Sequence, residues 1–595
     1  MNILELPNEI LIKVASMLPL RDLKSLSLTC HRFSEVAIAS VMVKKGVLWL
    51  NKIDEIPVPY GNKTIRKRFI AVETLKSSSR NYHAIGIALP VVLSKYELTM
   101  LQARLNALLL EKTAVRELHV IDSNNLQIIT LWEHFPILFQ TLDSLKVTVS
   151  DTPIRNEVEV DWEMPNLQRI QWNEQKFPSG VRYGQRLRIN LYAPKLQKAI
   201  YEVPKELYSQ NYDFHSMLVL KTVSQLRELQ CVLGYQAVEL LSENRLPALK
   251  RLCLIKEECR GEINWDIIAG NAPDLQHLEV RRDPTMPTGA SLLSPFLVYC
   301  SMLTVLHLEG LNISDMFEAS FLWSGIETLH LHECLMYSTP DKKLEVTLPN
   351  LRTLCISIYF IRNGNLVLNL PAVETLSLSK ANGTLDILEM PKLKTLHMRI
   401  PFQRPMTFMK SRMSHLRNVI LDTPVTFLPA TEQNYRTLLS PIGKLSNVTV
   451  ICRSGRAINN LLVNINREQP ALKSLSIIGT GVMSKIDRNT LRTILKLSRL
   501  ENLLMTNIQV SGSIPHPIPL PPQMRQLRIR SFCMPIKSRF ISMKRSQRRM
   551  GTIVERRVLH HNFFSINCSQ IPKFDDVQGS IDVCLDQLTD LYFSS

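Results

Sequence analysis

The amino-acid sequence predicts an α/β protein, in which a short N-terminal helical segment precedes a curved solenoid with a parallel concave sheet and a mixed helical and extended convex side. Three observations lead to this prediction. The chain has 595 residues, which is more than one compact core usually holds. A short apolar pattern recurs along most of its length. The N-terminal segment, through about residue 40, interrupts that pattern with helical spacing.

The recurring pattern is L-x-x-L-x-L, often preceded by proline, as in Pro247-Ala-Leu249 and Pro349-Asn-Leu351. The first apolar positions of seventeen candidate units are Val115, Leu142, Leu167, Leu196, Leu226, Leu249, Leu275, Leu303, Ile326, Leu351, Val373, Leu393, Leu416, Leu445, Leu472, Leu500 and Met524. In each unit the later apolar residues alternate with polar ones, which is typical of a short strand with one buried face. We therefore predict that leucines at equivalent positions are buried in a single row: Leu252, Leu278, Leu354, Leu376 and Leu396.

The motif and its spacing of about 26 residues resemble the leucine-rich-repeat family over residues 101–532. This resemblance implies stacked units whose concave sheet serves as an extended binding surface. The segments between the strands differ along the chain. Leu98 to Leu110 has helical spacing, whereas Leu187 to Leu191, Leu344 to Leu348 and Leu366 to Leu370 alternate with period two and predict extended segments.

The N-terminal segment begins with a predicted helix that Pro7 starts and Pro19 stops. Ile10, Val14 and Leu18 have the spacing of one helical stripe. A unit of about forty residues rarely folds without a staple or a partner. Two interpretations remain: a module that docks on a helical partner, or a helical cap of the solenoid.

Leu6-Pro7, Glu9-Ile10-Leu11, Leu18, Leu23, Leu26, Cys30 and Phe33 resemble the F-box over residues 4–40. Phe33 stands where many members of that family have tryptophan. The resemblance implies docking on a Skp-type adaptor, which links such proteins to a cullin scaffold and a ubiquitin-conjugating enzyme. The adaptor contacts that it implies are Leu6, Pro7, Ile10, Leu11, Leu18, Leu23, Leu26 and Phe33.

We predict four parts: an F-box at 1–45, a basic linker and N-terminal cap at 46–100, the solenoid at 101–532, and a basic C-terminal tail and possible cap at 533–595. The net charge of +18 favours acidic partners. Basic runs such as Lys544 to Arg549 are most often solvated loops, and a nuclear import signal is the alternative for this one. The eleven scattered cysteines contain no C-x-x-C pair, so we expect reduced thiols and a cytoplasmic or nuclear location.

The chain has no phosphate-binding loop, nucleophile elbow or zinc-protease motif, so we predict no enzyme activity, no catalytic residues, no metal ligands and no cofactor. On a regular strand His330, His332 and Cys334 would share one face, which makes metal ligation conceivable. We favour a surface for a protein ligand or an idle surface instead. The uncharged stretch from Pro284 to Leu308 is long enough to span a membrane, but its prolines and its repeat register argue against a membrane partner.

Strand alternation sends polar residues of the central repeats to the concave face. The candidate substrate face comprises His277, Glu279, Arg281, His307, Glu309, His330, His332, His397 and Arg399. Together with the F-box resemblance, this face predicts the substrate-recognition subunit of an SCF-type (cullin-RING) ubiquitin ligase that binds an unknown protein target. The alternative is a non-ligase scaffold that binds protein or nucleic acid, and nucleic acid is the less expected of these two partners.

Overall fold

The computed structural model describes a set of segments that extends from Pro7 to Asn567. These segments are residues 7–18, 29–31, 47–57, 63–69, 83–89, 94–111, 115–122, 127–150, 158–175, 187–202, 216–233, 235–256, 264–282, 293–311, 313, 324–337, 343–361, 365–381, 384–387, 390–399, 415–422, 445–452, 465, 472–479, 485–487, 494, 497–506, 509–511, 526–531, 552–558 and 561–567. The chain divides into two compact units, the first formed by residues 1–285 and 299–302, the second by residues 286–298 and 303–595.

The first unit is a solenoid of parallel strands. Its strands are β1 (Val47–Trp49), β2 (Asn51–Pro57), β3 (Lys63–Phe69), β4 (Ala84–Leu89), β5 (Glu117–Asp122), β6 (Ser144–Ser150), β7 (Val158–Glu163), β8 (Arg169–Gln175), β9 (Leu187–Tyr192), β10 (Lys198–Glu202), β11 (Ser216–Leu220), β12 (Glu228–Leu233), β13 (Arg251–Lys256) and β14 (His277–Arg282). The main sheet of this unit has the parallel order β1-β4-β5-β6-β8-β10-β12-β13-β14. A second parallel sheet has the order β7-β9-β11, and β2 and β3 form an antiparallel hairpin.

The second unit repeats this arrangement. Its strands are β15 (Val305–Glu309), β16 (Thr328–Tyr337), β17 (Lys343–Thr347), β18 (Thr353–Ile361), β19 (Asn365–Asn369), β20 (Thr375–Ala381), β21 (Thr384–Ile387), β22 (Thr395–Arg399), β23 (Asn418–Asp422), β24 (Asn447–Cys452), β25 (Ser474–Gly479), β26 (Lys485–Asp487), β27 (Asn502–Thr506), β28 (Gln509–Ser511), β29 (Gln526–Ser531), β30 (Thr552–Val558) and β31 (His561–Asn567). The main sheet runs in parallel from β15 through β16, β18, β20, β22, β23, β24, β25 and β27 to β29, and β31 and β30 follow antiparallel. Second sheets are β17-β19-β21 and β26-β28.

Helices and second-sheet strands connect the main-sheet strands, as expected for a mixed convex side. The helices are α1 (Asn8–Met17), α2 (Lys95–Glu111), α3 (Gln127–His134), α4 (Pro136–Thr141), α5 (Tyr235–Glu243), α6 (Trp265–Asn271) and α7 (Leu293–Tyr299). The predicted helix from Leu98 to Leu110 is confirmed by α2. The predicted extended segments are confirmed by β9, β17 and β19.

The apolar pattern of the sequence sets the strand positions in both units. A main-sheet strand begins two residues after each of the seventeen predicted first apolar positions. The repeat count as such, and the assignment of each unit to the leucine-rich-repeat family, stay predictions. The burial of the predicted leucines is confirmed: Leu252 and Leu278 are fully buried register partners in the first unit, and Leu354, Leu376 and Leu396 form a buried row in the second. A single row that joins all five stays a prediction. Burying one such side chain contributes about 1.5–3 kcal/mol.

Aromatic residues fill the core of the first unit between its two sheets. The indole rings of Trp132 and Trp162 stack with centroids 5.3 Å apart, and Phe139 meets Trp132 edge-on at 4.9 Å. Trp172 of β8 lies 6.4 Å from Trp162. Since offset and edge-on pairs contribute about 0.5–1.5 kcal/mol beyond area burial, this cluster anchors β7 of the second sheet to the main sheet.

The start of the main sheet lies earlier than the repeat motif indicates, because β1 and β4 precede Val115 and pair in parallel with each other. Asn51 joins the hairpin to this edge. Its Nδ2 donates to the carbonyl of Ala88 at 2.6 Å, and its Oδ1 accepts from the Ala88 amide at 2.8 Å. The domain boundaries given above stay predictions. Among the described residues, no helix is long and apolar enough to cross a membrane.

Candidate functional site

Helix α1 has two different apolar faces. Leu11 and Ala15 are buried and Leu18 is half-buried, and these residues lie on one stripe at 100° per residue. Ile10 and Met17 lie about 100° around the helix from that stripe, and they are 45% and 75% exposed. Of the predicted stripe of Ile10, Val14 and Leu18, Ile10 is exposed and Leu18 is half-buried, and the side chain of Val14 lies outside the described residues. The helix presents Ile10 and Met17 to solvent.

The remaining predicted adaptor contacts are only partly within the described residues. Pro7 is exposed and occupies the N-cap of α1, where its carbonyl accepts from the amides of Ile10 and Leu11 at 3.1 Å. Leu6, Leu23, Leu26 and Phe33 lie outside the described residues.

The open face of the main sheet is the side whose residues alternate with the buried leucines. In the first unit Glu279 of β14 is the centre of an ionic cluster on this face, although the residue is only 8% exposed. Its Oε1 accepts from Arg281 Nε at 2.7 Å and lies 2.6 Å from Arg281 Nη2. Its Oε2 lies 3.6 Å from Arg251 Nη2 and 4.0 Å from His277 Nε2. Three of the predicted substrate-face residues, His277, Glu279 and Arg281, are thus brought together.

In the second unit four predicted residues meet on β15 and β16. The imidazole rings of His307 and His330 are register partners and stack in parallel, with centroids 4.1 Å apart. Beside them, Nδ1 of His332 lies 3.7 Å from Oε1 of Glu309.

A β-bulge after Leu331 changes the direction of the following side chains. Glu333 has φ 52°, and the register to β18 advances by one extra residue between Leu331 and Cys334. Cys334 is consequently buried, and its thiol donates to the carbonyl of Leu308 at 3.4 Å. The expectation that His330, His332 and Cys334 share one face is therefore wrong, since regular alternation ends at the bulge.

The register row that begins with His307 and His330 continues through Cys355 and Ser377 to His397. Cys355 is the register partner of His330, and Ser377 follows on the next strand. The hydroxyl of Ser377 lies 3.2 Å from Nδ1 of His397. Arg399 lies on the same strand as His397, and only its backbone is described.

An aliphatic zone that was not predicted from the sequence lies on the open face farther along this unit. Ile420, Ile451, Ile478 and Leu504 are half-exposed there, and Ile451 and Ile478 are direct register partners. The signal was present in the sequence, because these residues occupy the positions that are polar in the preceding repeats. The open face is thus ionic and imidazole-rich at one part and aliphatic at another.

The buried thiols are not activated for nucleophilic chemistry. Burial raises the pKa of Cys300 and of Cys334 to about 12, and that of Cys253 to about 12 with a further contribution from Glu279. A nucleophilic cysteine needs the opposite shift, toward the thiolate. These cysteines therefore act as packing residues.

Comparison with known proteins concerns the N-terminal segment. Residues 3–42 match the F-box-like family. The match includes α1 with its exposed apolar face, and it precedes the parallel-strand units. No curated protein matches the chain. The chain therefore has an F-box-like domain, which points to an F-box protein; such proteins usually serve as substrate adaptors, are typically non-catalytic and commonly bind Skp-type adaptors.

Proposed function

We propose that this protein is the substrate-recognition subunit of an SCF-type ubiquitin ligase. The F-box-like match ahead of parallel-strand units is the observation on which the proposal rests. The F-box docks on a Skp-type adaptor and thereby on a cullin, and the open face binds a target protein. The subunit then promotes ubiquitin transfer by proximity alone, because it raises the local concentration of the target beside the conjugating enzyme. Such an assembly operates in the cytoplasm, the nucleus or both.

The exposed face of α1 supports adaptor docking. Ile10 and Met17 are apolar, share one side of the helix and are exposed, which is the arrangement of a helix that lays an apolar face into a groove. Fully burying such a side chain contributes about 1.5–3 kcal/mol. Leu11 contributes differently, since its burial supports the fold of the helix rather than direct contact.

The open face of each unit supports target binding by its own chemistry. In the first unit the Glu279 cluster offers polar contacts. In the second unit the Glu309–His332 pair offers polar contacts and the aliphatic zone offers apolar ones. Charged groups on such a surface orient a partner and exclude wrong ones more than they add affinity. We therefore propose a target segment with acidic or polar residues at the imidazole-rich part.

Adaptor docking is tested by Ile10→Asp and Met17→Asp in the full-length chain, with Asn8→Gln as the matched control, because exposed Asn8 lies on the opposite side of the same helix. Each Asp would have to be desolvated in the groove, so co-purification with a Skp-type adaptor and cullin should weaken at least tenfold. Asn8→Gln should bind as the parent chain does. Unchanged adaptor capture by both Asp variants would contradict the ligase role and favour the non-ligase scaffold.

Target binding is tested once a target has been captured. The triple change of His307, His330 and Arg399 to Ala should abolish target capture while adaptor binding and thermal stability remain. If binding survives and is instead lost on removal of the basic segment from Lys537 to Arg557, recognition lies in the tail and the open-face proposal is wrong.

A further inference from the structure

An exposed indole lies flat on the first edge of the main sheet in the first unit. Trp49 is 39% exposed and is the register partner of Gly86. A Cβ atom on Gly86 would lie 2.5 to 2.8 Å from three atoms of the Trp49 ring. Only glycine permits this approach, so the ring rests directly on the Gly86 backbone. The 39% of Trp49 that stays exposed is the surface on which a planar group could stack.

The surface beside this ring is polar and carries net positive charge. His119 is the register partner of Gly86, and Lys146 is the register partner of His119. Lys146 therefore lies two strands, or about 10 Å, from Gly86. Arg169 is exposed on the neighbouring row. The carboxylate of Glu117, on the same strand as His119, lies 2.6 Å from His119 Nε2 and is hydrogen-bonded to it. That hydrogen bond holds the pKa of Glu117 below its ordinary value, with smaller contributions from His83 and Arg169.

A basic hairpin continues from the same edge. Strand β2 begins two residues after Trp49, pairs antiparallel with β3, and is anchored by Asn51 to Ala88. The two strands contain five cationic residues and two acidic ones: Lys52, Lys63, Arg66, Lys67 and Arg68 against Asp54 and Glu55. An aromatic platform on β1 and a basic hairpin are therefore adjacent along the chain, and Asn51 ties the hairpin to β4 of the main sheet.

We propose that Trp49 and the β2–β3 hairpin bind a single-stranded polynucleotide, with one base stacked on the indole and the phosphates along the hairpin, Lys146 and Arg169. Aromatic stacking combined with a positively charged track is the usual chemistry of sequence-tolerant single-strand binding. Basic charge alone fits any acidic partner, and the exposed ring face adds the requirement for a planar group. This site lies on the same open face of the first unit as the Glu279 cluster but uses other residues, and it does not rest on the ligase role.

The first experiment measures fluorescence anisotropy of labelled oligouridylate, oligodeoxythymidylate and polyglutamate with the full-length chain. Trp49→Ala should weaken binding of the oligonucleotides by about tenfold to a hundredfold, as expected for the loss of one stacked base. Trp49→Phe keeps a smaller ring and should lose less. The two oligonucleotides differ in the sugar and show whether RNA or DNA is preferred, and binding of either one supports the proposal.

Gly86→Ala is a second test of the ring. It displaces the Trp49 ring without removing it, so it should also weaken binding. Neutralising Lys63, Arg66 and Lys67 to Gln should reduce the slope of log affinity against log salt by about 2, since each phosphate contact contributes about 0.7 on a single strand. Thermal melting checks that each variant is folded.

Three results would overturn the proposal. The parent chain could fail to bind either oligonucleotide at low salt. Folded Trp49→Ala could bind both oligonucleotides as tightly as the parent chain. Polyglutamate could bind as tightly as the oligonucleotides and be insensitive to Trp49→Ala, which would identify an acidic protein as the partner instead.

Discussion

Replacing Glu279 with Gln should destabilise the end of the first unit, because the carboxylate is the anion around which two guanidinium groups are arranged. Oε1 binds Arg281 through two close contacts of 2.7 and 2.6 Å, and Oε2 faces Arg251 at 3.6 Å. Gln has nearly the same shape but no charge. The substitution therefore leaves the arginines in place and removes only their shared counter-ion.

The size of the effect follows from exposure. Removing one partner of a fully buried ion pair costs about 3–5 kcal/mol. The side chain of Glu279 is 10% exposed, but those of Arg281 and Arg251 are 31% and 48% exposed, so water recovers part of the loss. We expect a local loss of about 1–2 kcal/mol.

Hydrogen exchange read by mass spectrometry measures this locally. Amides of β13 and β14 should exchange about 5- to 30-fold faster in Glu279→Gln. Glu309→Gln is the matched control, since the side chain of Glu309 is 25% exposed and its contact with His332 is long, at 3.7 Å, so exchange around β15 should change by about twofold or less. Equal exchange in β13 and β14 of Glu279→Gln and the parent chain would refute the argument.

Three further predictions concern stability and reactivity. Leu376→Ala should cost about 2–5 kcal/mol in urea unfolding of the second unit, because Leu376 is fully buried in its leucine row. The hydrogen bond with His119 lowers the pKa of Glu117 below its ordinary value of 4.5. The stability that this bond contributes is complete above pH 4.5 and is lost as pH falls through the lowered pKa. Glu117→Gln should remove this part of the acid sensitivity in thermal melts taken at decreasing pH. Cys300 and Cys334, with pKa values of about 12, should resist iodoacetamide at about pH 8 in the native protein and react in urea, as followed by peptide mass spectrometry. Rapid alkylation of either native thiol would contradict the assigned burial.

Most of the fold was predictable because its signal is local and repeated. Alternation of apolar and polar residues decides which side of a strand is buried, and the same decision recurs in every unit. The helix from Leu98 and the extended segments at Leu187, Leu344 and Leu366 followed from periodicity in the same way. The early strands β1 and β4 were missed because they lack the repeat motif.

The candidate site was less predictable, because it depends on neighbours that are distant in sequence. Polar residues could be assigned to the open face, but not the stacking of His307 on His330 or the arrangement of two arginines around Glu279. On α1, spacing alone did not identify which of the two apolar faces the rest of the domain covers.

The sequence by itself determined the strand register, the buried leucine rows and the F-box-like segment, since each is encoded in short runs of residues. Only the tertiary structure decided where regularity ends. The bulge at Glu333 turns Cys334 inward, and the absence of a side chain at Gly86 lets Trp49 lie on the sheet. Both depend on backbone geometry between adjacent strands, whose residues become neighbours only when the chain has folded.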